Sequence, residues 1–177
     1  MSKLMKLNFG CGTDIKKGYL NVDHIKLKGV DKVMDLNVFP YPFASNSCDE
    51  ILMDHVLDHL DKPTRVLQEL HRIIKKSGKI VIKVPHFSCG MAYWGDVRKS
   101  LYSYYAFKRY ETGQKRSYYF PFSFRNVQVY FDFQKKPFLV FFYNHIIAWI
   151  ANAKPYLYEN TFLRVFPCRT LVATLRK

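Results

Sequence analysis

Short apolar runs, each closing on a glycine or an aspartate, punctuate the first third of the chain. Leu4–Phe9 leads into Gly10, Leu20–Val22 into Asp23, Lys32–Met34 into Asp35, and Asp49–Met53 into Asp54. Runs of this length bounded by turn residues predict buried strands. Asp61–Lys76 is the clearest helix: Val66, Leu67, Leu70, Ile73 and Ile74 recur at helical spacing, and His71 borders the stripe in a structural place. Asp61 would cap it, Pro63 fits its first turn, Lys75 and Lys76 suit its negative end, and Gly78 its exit. Lys79–Val84 is apolar but for its lysines, which predicts a fifth strand covered on both faces. Val127–Phe133 and Thr170–Arg176 alternate and predict strands six and seven. The order of elements predicts an α/β chain with a doubly wound, mostly parallel sheet.

In such a sheet ligands lie across the carboxyl ends of the strands, so the residues that close the runs share one rim. Gly10-Cys11-Gly12 after the first strand leaves backbone open to a bound molecule. Asp23 after the second can accept both hydrogen bonds of a ribose diol, and Asp35 after the third can reach an adenine amine. A plain turn or a helix cap would explain either aspartate alone; the series of three points to a nucleoside. Gly10-Cys11-Gly12-Thr13-Asp14-Ile15 lacks a third glycine, and Asp14 would face a pyrophosphate unfavourably, which sets a dinucleotide aside. Only eleven positions separate Gly12 from Asp23, against about twenty in a unit with a full crossover helix, so the first helix is cut to a turn or so.

The pieces LNFGCGT, LNVDH, VMDLNVFPYPF, SCDEILMDHVLDHL and LHRIIKKSGKIVIKVPHFS, within residues 4–87, resemble the core of class I S-adenosylmethionine (SAM)-dependent methyltransferases of the small type 11-like group. The resemblance implies a Rossmann-like sheet of seven strands with an antiparallel end, and a helical insertion at about 134–168 between the last two strands. It implies one domain over 1–177, with a cofactor-binding core at 1–89 and an acceptor-side half at 90–177. It also implies SAM as methyl donor, S-adenosylhomocysteine (SAH) as product, and a cofactor rim of Phe9, Gly10, Cys11, Gly12, Asp23, His24, Asp35, Leu36, Met53, Asp54 and His55. Leu36 would pack on the adenine ring, and a Pro40- and Pro42-bearing loop would pass over it.

The loops after strands four and five would face the reacting methyl. His86, at the end of strand five, is the candidate to take a proton from an acceptor or to orient it, with Asp96 as the second catalytic candidate; a histidine that merely caps the strand is the alternative. Methyl transfer needs mainly alignment, so a strong base is not required. His55 and His59 stand four apart, a metal-pair spacing on a helix, but Val56 replaces the glutamate of H-E-x-x-H and no metal is expected.

Charge changes the picture on the acceptor side. The net charge is +14, and residues 90–177 hold 14 Lys and Arg against 4 Asp and Glu. Basic and aromatic residues interleave from Arg98 to Tyr119. They suit a small sugar- or phosphate-bearing acceptor, or a nucleic acid, which no recognition motif favours. A non-catalytic basic module for nucleic acid or a membrane surface is the rival function. Pro137–Ala153 is apolar almost all round, shorter than the ~20 residues of a spanning helix, and bracketed by Lys135, Lys136 and Lys154. A buried lid on the sheet is its expected role, with a membrane-lying helix or a greasy acceptor pocket as alternatives. Four scattered cysteines without a C-x-x-C pair, and no leader pattern after Met1, predict reduced thiols and a cytoplasmic protein, with peripheral membrane contact as an option. Nothing in the sequence fixes the oligomeric state.

Overall fold

The computed structural model describes residues 4–94, 98–115, 117–133 and 138–177. Its seven strands are β1 (Lys6–Phe9), β2 (Leu20–Asp23), β3 (Lys32–Val33), β4 (Cys48–Asp54), β5 (Ile74–Pro85), β6 (Asn126–Asp132) and β7 (Thr170–Arg176). They form one sheet in the order β3-β2-β1-β4-β5-β7-β6. The first five run parallel, and β7 lies antiparallel between β5 and β6. The expected mixed sheet is therefore present.

Register explains which side chains meet. Leu7 is level with Leu20 and Ile51, Ile51 with Ile80, and Ile80 with Leu175; the next apolar row runs through Val22, Phe9, Met53, Ile82 and Ala173. All but the half-buried Leu20 are buried. Helix α1 (Pro63–Ile73) lays Val66, Leu67, Leu70 and Ile73 on this face. Beside it the loop after β3 folds back so that Tyr41 and Phe43 meet the Phe9 ring at 5.7 and 5.9 Å. Glu69 and Arg72 of α1 hold that loop: Tyr41 N–H donates to Glu69, and Arg72 donates to the carbonyls of Tyr41 and Phe43.

The opposite face departs from expectation. Lys79, Val81 and Lys83 of β5 are only half-buried, as are Glu50, Leu52 and Asp54 of β4, and Gln128 and Tyr130 of β6 are exposed. Its rows are crossed by ion pairs, Lys6 and Lys79 both on Glu50 at 3.2 and 2.9 Å, and Lys83 on Asp54 at 2.7 Å. Strand five is thus covered on one face, not two, because the chain from Gly10 to Tyr19 holds turns in place of a crossover helix. A polar network does the bridging. Asn21 Oδ1 accepts from Asn8 Nδ2 and from Lys16 N–H, its Nδ2 donates to the carbonyls of Lys16 and Tyr19, and Asp31 Oδ2 accepts from both nitrogens of Asn21.

Helix α1 is shorter than the sequence suggests. Lys62 precedes it without a side-chain cap, and Asp61 pairs with Lys99 instead. The helix ends at Ile73 because Ile74 is drawn into the sheet opposite Cys48; Lys75 pairs with Asp49, and Gly78 lies within β5. Between β5 and β6 comes α2 (Tyr104–Lys108), where Phe107 is buried and Tyr104 stacks on Phe131. The aromatics of this stretch divide: Tyr102, Tyr110, Phe122 and Phe124 enter the core, whereas Tyr105, Tyr118 and Tyr119 are exposed.

The insertion after β6 consists of α3 (Phe138–Ala153), α4 (Pro155–Asn160) and a 3-10 turn, Phe162–Val165. Asn144, Ile147 and Ala151 of α3 are buried while Ile146 and Trp149 are exposed, so the helix is buried on one side only and is not the fully buried lid expected. Asn152 accepts the N–H of Phe131 and donates to its carbonyl, fastening α3 along β6. No helix among the described residues is long and apolar enough to cross a membrane.

Replacing Asn21 with Ala should cost about 3 kcal/mol in a urea unfolding titration, since the buried Asn8 amide and the half-buried backbone of Lys16 and Tyr19 lose their bonds at once. A loss under about 0.5 kcal/mol would contradict the bridging role.

Candidate functional site

A cavity of about 670 Å³ opens at the carboxyl ends of β1, β2 and β4, lined by Gly10, Asp23, His24, Met34, Asp35, Leu36, Asn37, His55, Val56, His59 and Leu60. The size is that of a small-molecule pocket. Six of the residues expected around a cofactor thus come together here: Gly10, Asp23, His24, Asp35, Leu36 and His55.

The wall nearest β1 is set by backbone shape. Gly10 sits at φ +64, and a Cβ there would come within 2.3 Å of Val56 Cγ2. Its N–H and that of Cys11 both donate to the carbonyl of Val22, which ties the loop to β2. Gly12 N–H donates to Asp23 Oδ2 at 2.7 Å, while Asp23 Oδ1 accepts from Ile25 N–H and lies 3.0 Å from His24 Nδ1. Asp23 is only 6 % exposed. Burial alone would raise its carboxyl; the N–H groups of Gly12 and Ile25 and the His24 ring outweigh burial and hold it below the usual carboxylate range. Asp35 is exposed, with Oδ1 accepting from Asn37 N–H in a tight turn, so it is a turn residue and a wall residue together.

The opposite wall comes from the loop after β4. His55 adopts φ +54, a left-handed conformation that is costly for a side chain of this size. Its ring is half-buried and its Nδ1 is buried without a hydrogen-bond partner among the described residues. Burial pushes the His55 pKa down, and the positive charges of Arg98, Lys83 and Arg169 add to this against the opposing pull of Asp54. The ring is therefore neutral at pH 7, with a nitrogen in want of a partner. Only Leu57–His59 is helical, as one 3-10 turn, and no group of three or more metal-ligating side chains occurs among the described residues.

Phe9, Cys11, Gly12, Met53 and Asp54 lie outside this lining. Phe9 and Met53 point into the core, at 0 and 1 % exposure. The Cys11 thiol is turned inward, where burial and then Asp23 raise its pKa. Asp54 faces the other side of the sheet, in a hollow of about 190 Å³ shared with Asn8, Lys16 and Lys83. Met34, Asn37, Val56 and Leu60 are wall residues that the sequence does not single out, the first three signalled only by nearness to Asp35 or His55; His59, weighed in the sequence only for its spacing from His55, is a wall residue too.

His86 is fully buried. Its Nδ1 accepts from Ser88 N–H at 3.2 Å, which leaves the proton on Nε2, 3.1 Å from Glu159 Oε1. Glu159 also accepts Tyr104 N–H, and Ser88 Oγ and the Tyr158 hydroxyl both accept from Cys168 N–H. Burial pushes the Tyr158 phenol up to about 12. The cluster joins the end of β5 to α4, away from the cavity lining. Asp96 lies outside the described residues. The loops above the cavity are tied to each other: Arg98 pairs with the buried Asp58, and the N–H groups of Lys99 and Ser100 donate to its carbonyl.

Gly10→Ala should cost about 2 to 3 kcal/mol by thermal unfolding, from left-handed strain plus the collision with Val56. Gly12→Ala, at φ +50 with open space around it, should cost only about 1 kcal/mol. Equal costs would contradict the close approach at Gly10.

Comparisons with known proteins agree with this architecture. The family described as Methyltransferase domain matches residues 4–82. No match was found among the curated proteins. Among solved structures, a SAM dependent methyltransferase from Archaeoglobus fulgidus is 17 % identical, with 99 % of this chain and 87 % of that one covered at a TM-score of 0.65. A SAM dependent methyltransferase from Mesorhizobium loti is 15 % identical, covering 98 and 91 % at 0.56. Phosphoethanolamine N-methyltransferase 2 of Haemonchus contortus, in complex with SAM, is 12 % identical, covering 100 and 49 % at 0.59. A methyltransferase-domain family model thus matches residues 4–82, and the chain as a whole shares the fold of these SAM dependent methyltransferase structures.

Proposed function

We propose that the chain is a SAM-dependent methyltransferase whose donor occupies the cavity between the glycine loop and His55. The observation that carries this reading is the convergence of Gly10, Asp23, Asp35 and His55 on one space of nucleoside size. When bound, SAM supplies a methyl group already activated on a sulfonium, so alignment is what the protein must provide.

The residues fit that task. The N–H groups of Gly10, Cys11 and Gly12 are taken by Val22 and Asp23, so the loop offers the methionine part of SAM the carbonyl of Gly10, an acceptor for its ammonium group. Asp23, held charged by its own N–H donors, has lone pairs left for ribose hydroxyls. Asp35 takes the adenine amine, and Met34, Leu36 and Leu60 give the ring apolar walls. His55 accepts the proton that leaves a hydroxyl or amine acceptor and passes it to solvent. His86 braces the end of β5 against α4 through Ser88 and Glu159, rather than meeting the acceptor. A small molecule bearing sugar or phosphate is the acceptor class that suits the basic half of the chain.

Calorimetry with SAM, SAH, NAD and ATP tests the reading; binding of SAM and SAH alone is expected, and binding of NAD or ATP in their place would overturn it. Asp35→Ala should weaken SAM by about 1 kcal/mol and leave the unfolding temperature unchanged, because its exposed carboxylate accepts from Asn37 N–H in a turn that the backbone bond from Val38 N–H also closes. Asp23→Ala should lose about 1 to 3 kcal/mol of SAM affinity and some stability too, since it also releases Gly12 and Ile25. With His55 as proton acceptor, kcat/KM should be flat above pH 7 and fall as pH drops through a value below the ordinary 6.5. His55→Gln should remove that acid limb.

A further inference from the structure

The insertion leaves the sheet at the carboxyl end of β6 and returns at the start of β7. Because β6 runs parallel to β1 and β4, both junctions sit on the edge where the cavity opens. The insertion is anchored there from within: Tyr158 packs edge-on against Phe131 and Phe133, and Glu159 bonds His86. Its outer side is of a different character. Ile146, Trp149, Tyr156, Leu157, Phe162 and Val165 are all exposed, with Trp149 at 72 % and Phe162 at 76 %. Lys154, Arg164 and Arg169 are exposed along the same stretch, and its one acidic residue, Glu159, is buried and bonded. The outer side therefore has positive charge that nothing on the segment offsets.

We propose that this outer side docks the protein on an anionic phospholipid bilayer, with the mouth of the cavity turned toward the lipid. The composition selects a membrane over other polyanions. Trp and Tyr partition to the headgroup level, and basic side chains gain from anionic headgroups. Exposed Ile146, Leu157 and Val165 have no base to pair with and no ring to stack, so a nucleic acid leaves them wet, whereas acyl chains take them up. The helices are too short to span and lie in the interface. Resting on the methyltransferase reading, the acceptor is then an amphiphile that presents its polar head at the membrane surface.

Co-sedimentation of the full chain with vesicles tests docking. Vesicles of phosphatidylcholine mixed with phosphatidylglycerol should bind it, phosphatidylcholine alone should bind it weakly, and added salt should reduce the difference. Trp149→Ser with Phe162→Ser should lower binding to the mixed vesicles roughly tenfold or more. Both sites are highly exposed, so unfolding temperature and SAM affinity should be unchanged. Lys154→Gln with Arg164→Gln should reduce the preference for anionic over neutral lipid. Docking is overturned by absent vesicle binding, by binding indifferent to the Trp149 and Phe162 changes, by an oligonucleotide that both forms bind equally and that displaces the vesicles, or by sedimentation showing that a second copy covers this side. Vesicle binding without SAM binding would leave docking standing and remove the amphiphile acceptor; SAM binding without vesicle binding would do the reverse.

Discussion

The length of chain between β1 and β2 is the constraint on which the rest depends. A parallel pair needs a crossover, and from Gly10 to Tyr19 there is no room for a helix. Buried polar side chains take over the work: Asn8 and Asn21 bridge the turns from below, and Asp23 reaches across to Gly12 from the end of β2. The same economy leaves one face of the sheet half-open, with cross-strand ion pairs in place of a second apolar layer. It also fuses folding with the site. The carboxylate that closes the glycine loop is the one that lines the cavity, so the fold itself sets the shape of the loop beside that space.

Much of this was legible because strand ends announce themselves. The apolar runs that stop at Gly10, Asp23 and Asp35 gave three strands and three wall residues at once, and the alternation in Val127–Phe133 and Thr170–Arg176 marked the last two strands. Burial on the two faces of β5 was not legible, because Ile80, Ile82 and Val84 read alike whether the intervening Val81 and Lys83 are covered or wet. The end of α1 was misplaced because Ile74 fits a helical stripe as well as a strand; pairing with Cys48 decided it. His86 drew attention as a strand-end imidazole, yet its partner, Glu159, stands 73 residues away and is invisible to local patterns. His55 is legible as a rim residue and by its spacing from His59, whereas its left-handed backbone and an Nδ1 without a partner among the described residues emerge only in the fold.

Polar clusters above the cavity fix loops that have little apolar surface of their own. Asp58 is almost wholly buried and pairs with Arg98, while its carbonyl collects the N–H groups of Lys99 and Ser100. A buried ion pair contributes modestly to stability once desolvation is counted. Its value here is positional: it sets the loop after β5 against the loop after β4. The His86, Glu159, Ser88 and Tyr158 cluster does the same between β5 and the insertion.

Both margins of the sheet are poor templates for a further strand. At one margin β3 has only two residues, one of them Lys32. At the other, the side-chain amide of Asn152 occupies the outward N–H and carbonyl of Phe131, so an incoming backbone finds those groups taken. The sheet is thereby guarded against edge-to-edge growth, and copies of the chain that associate must do so through side chains rather than by extending the ladder.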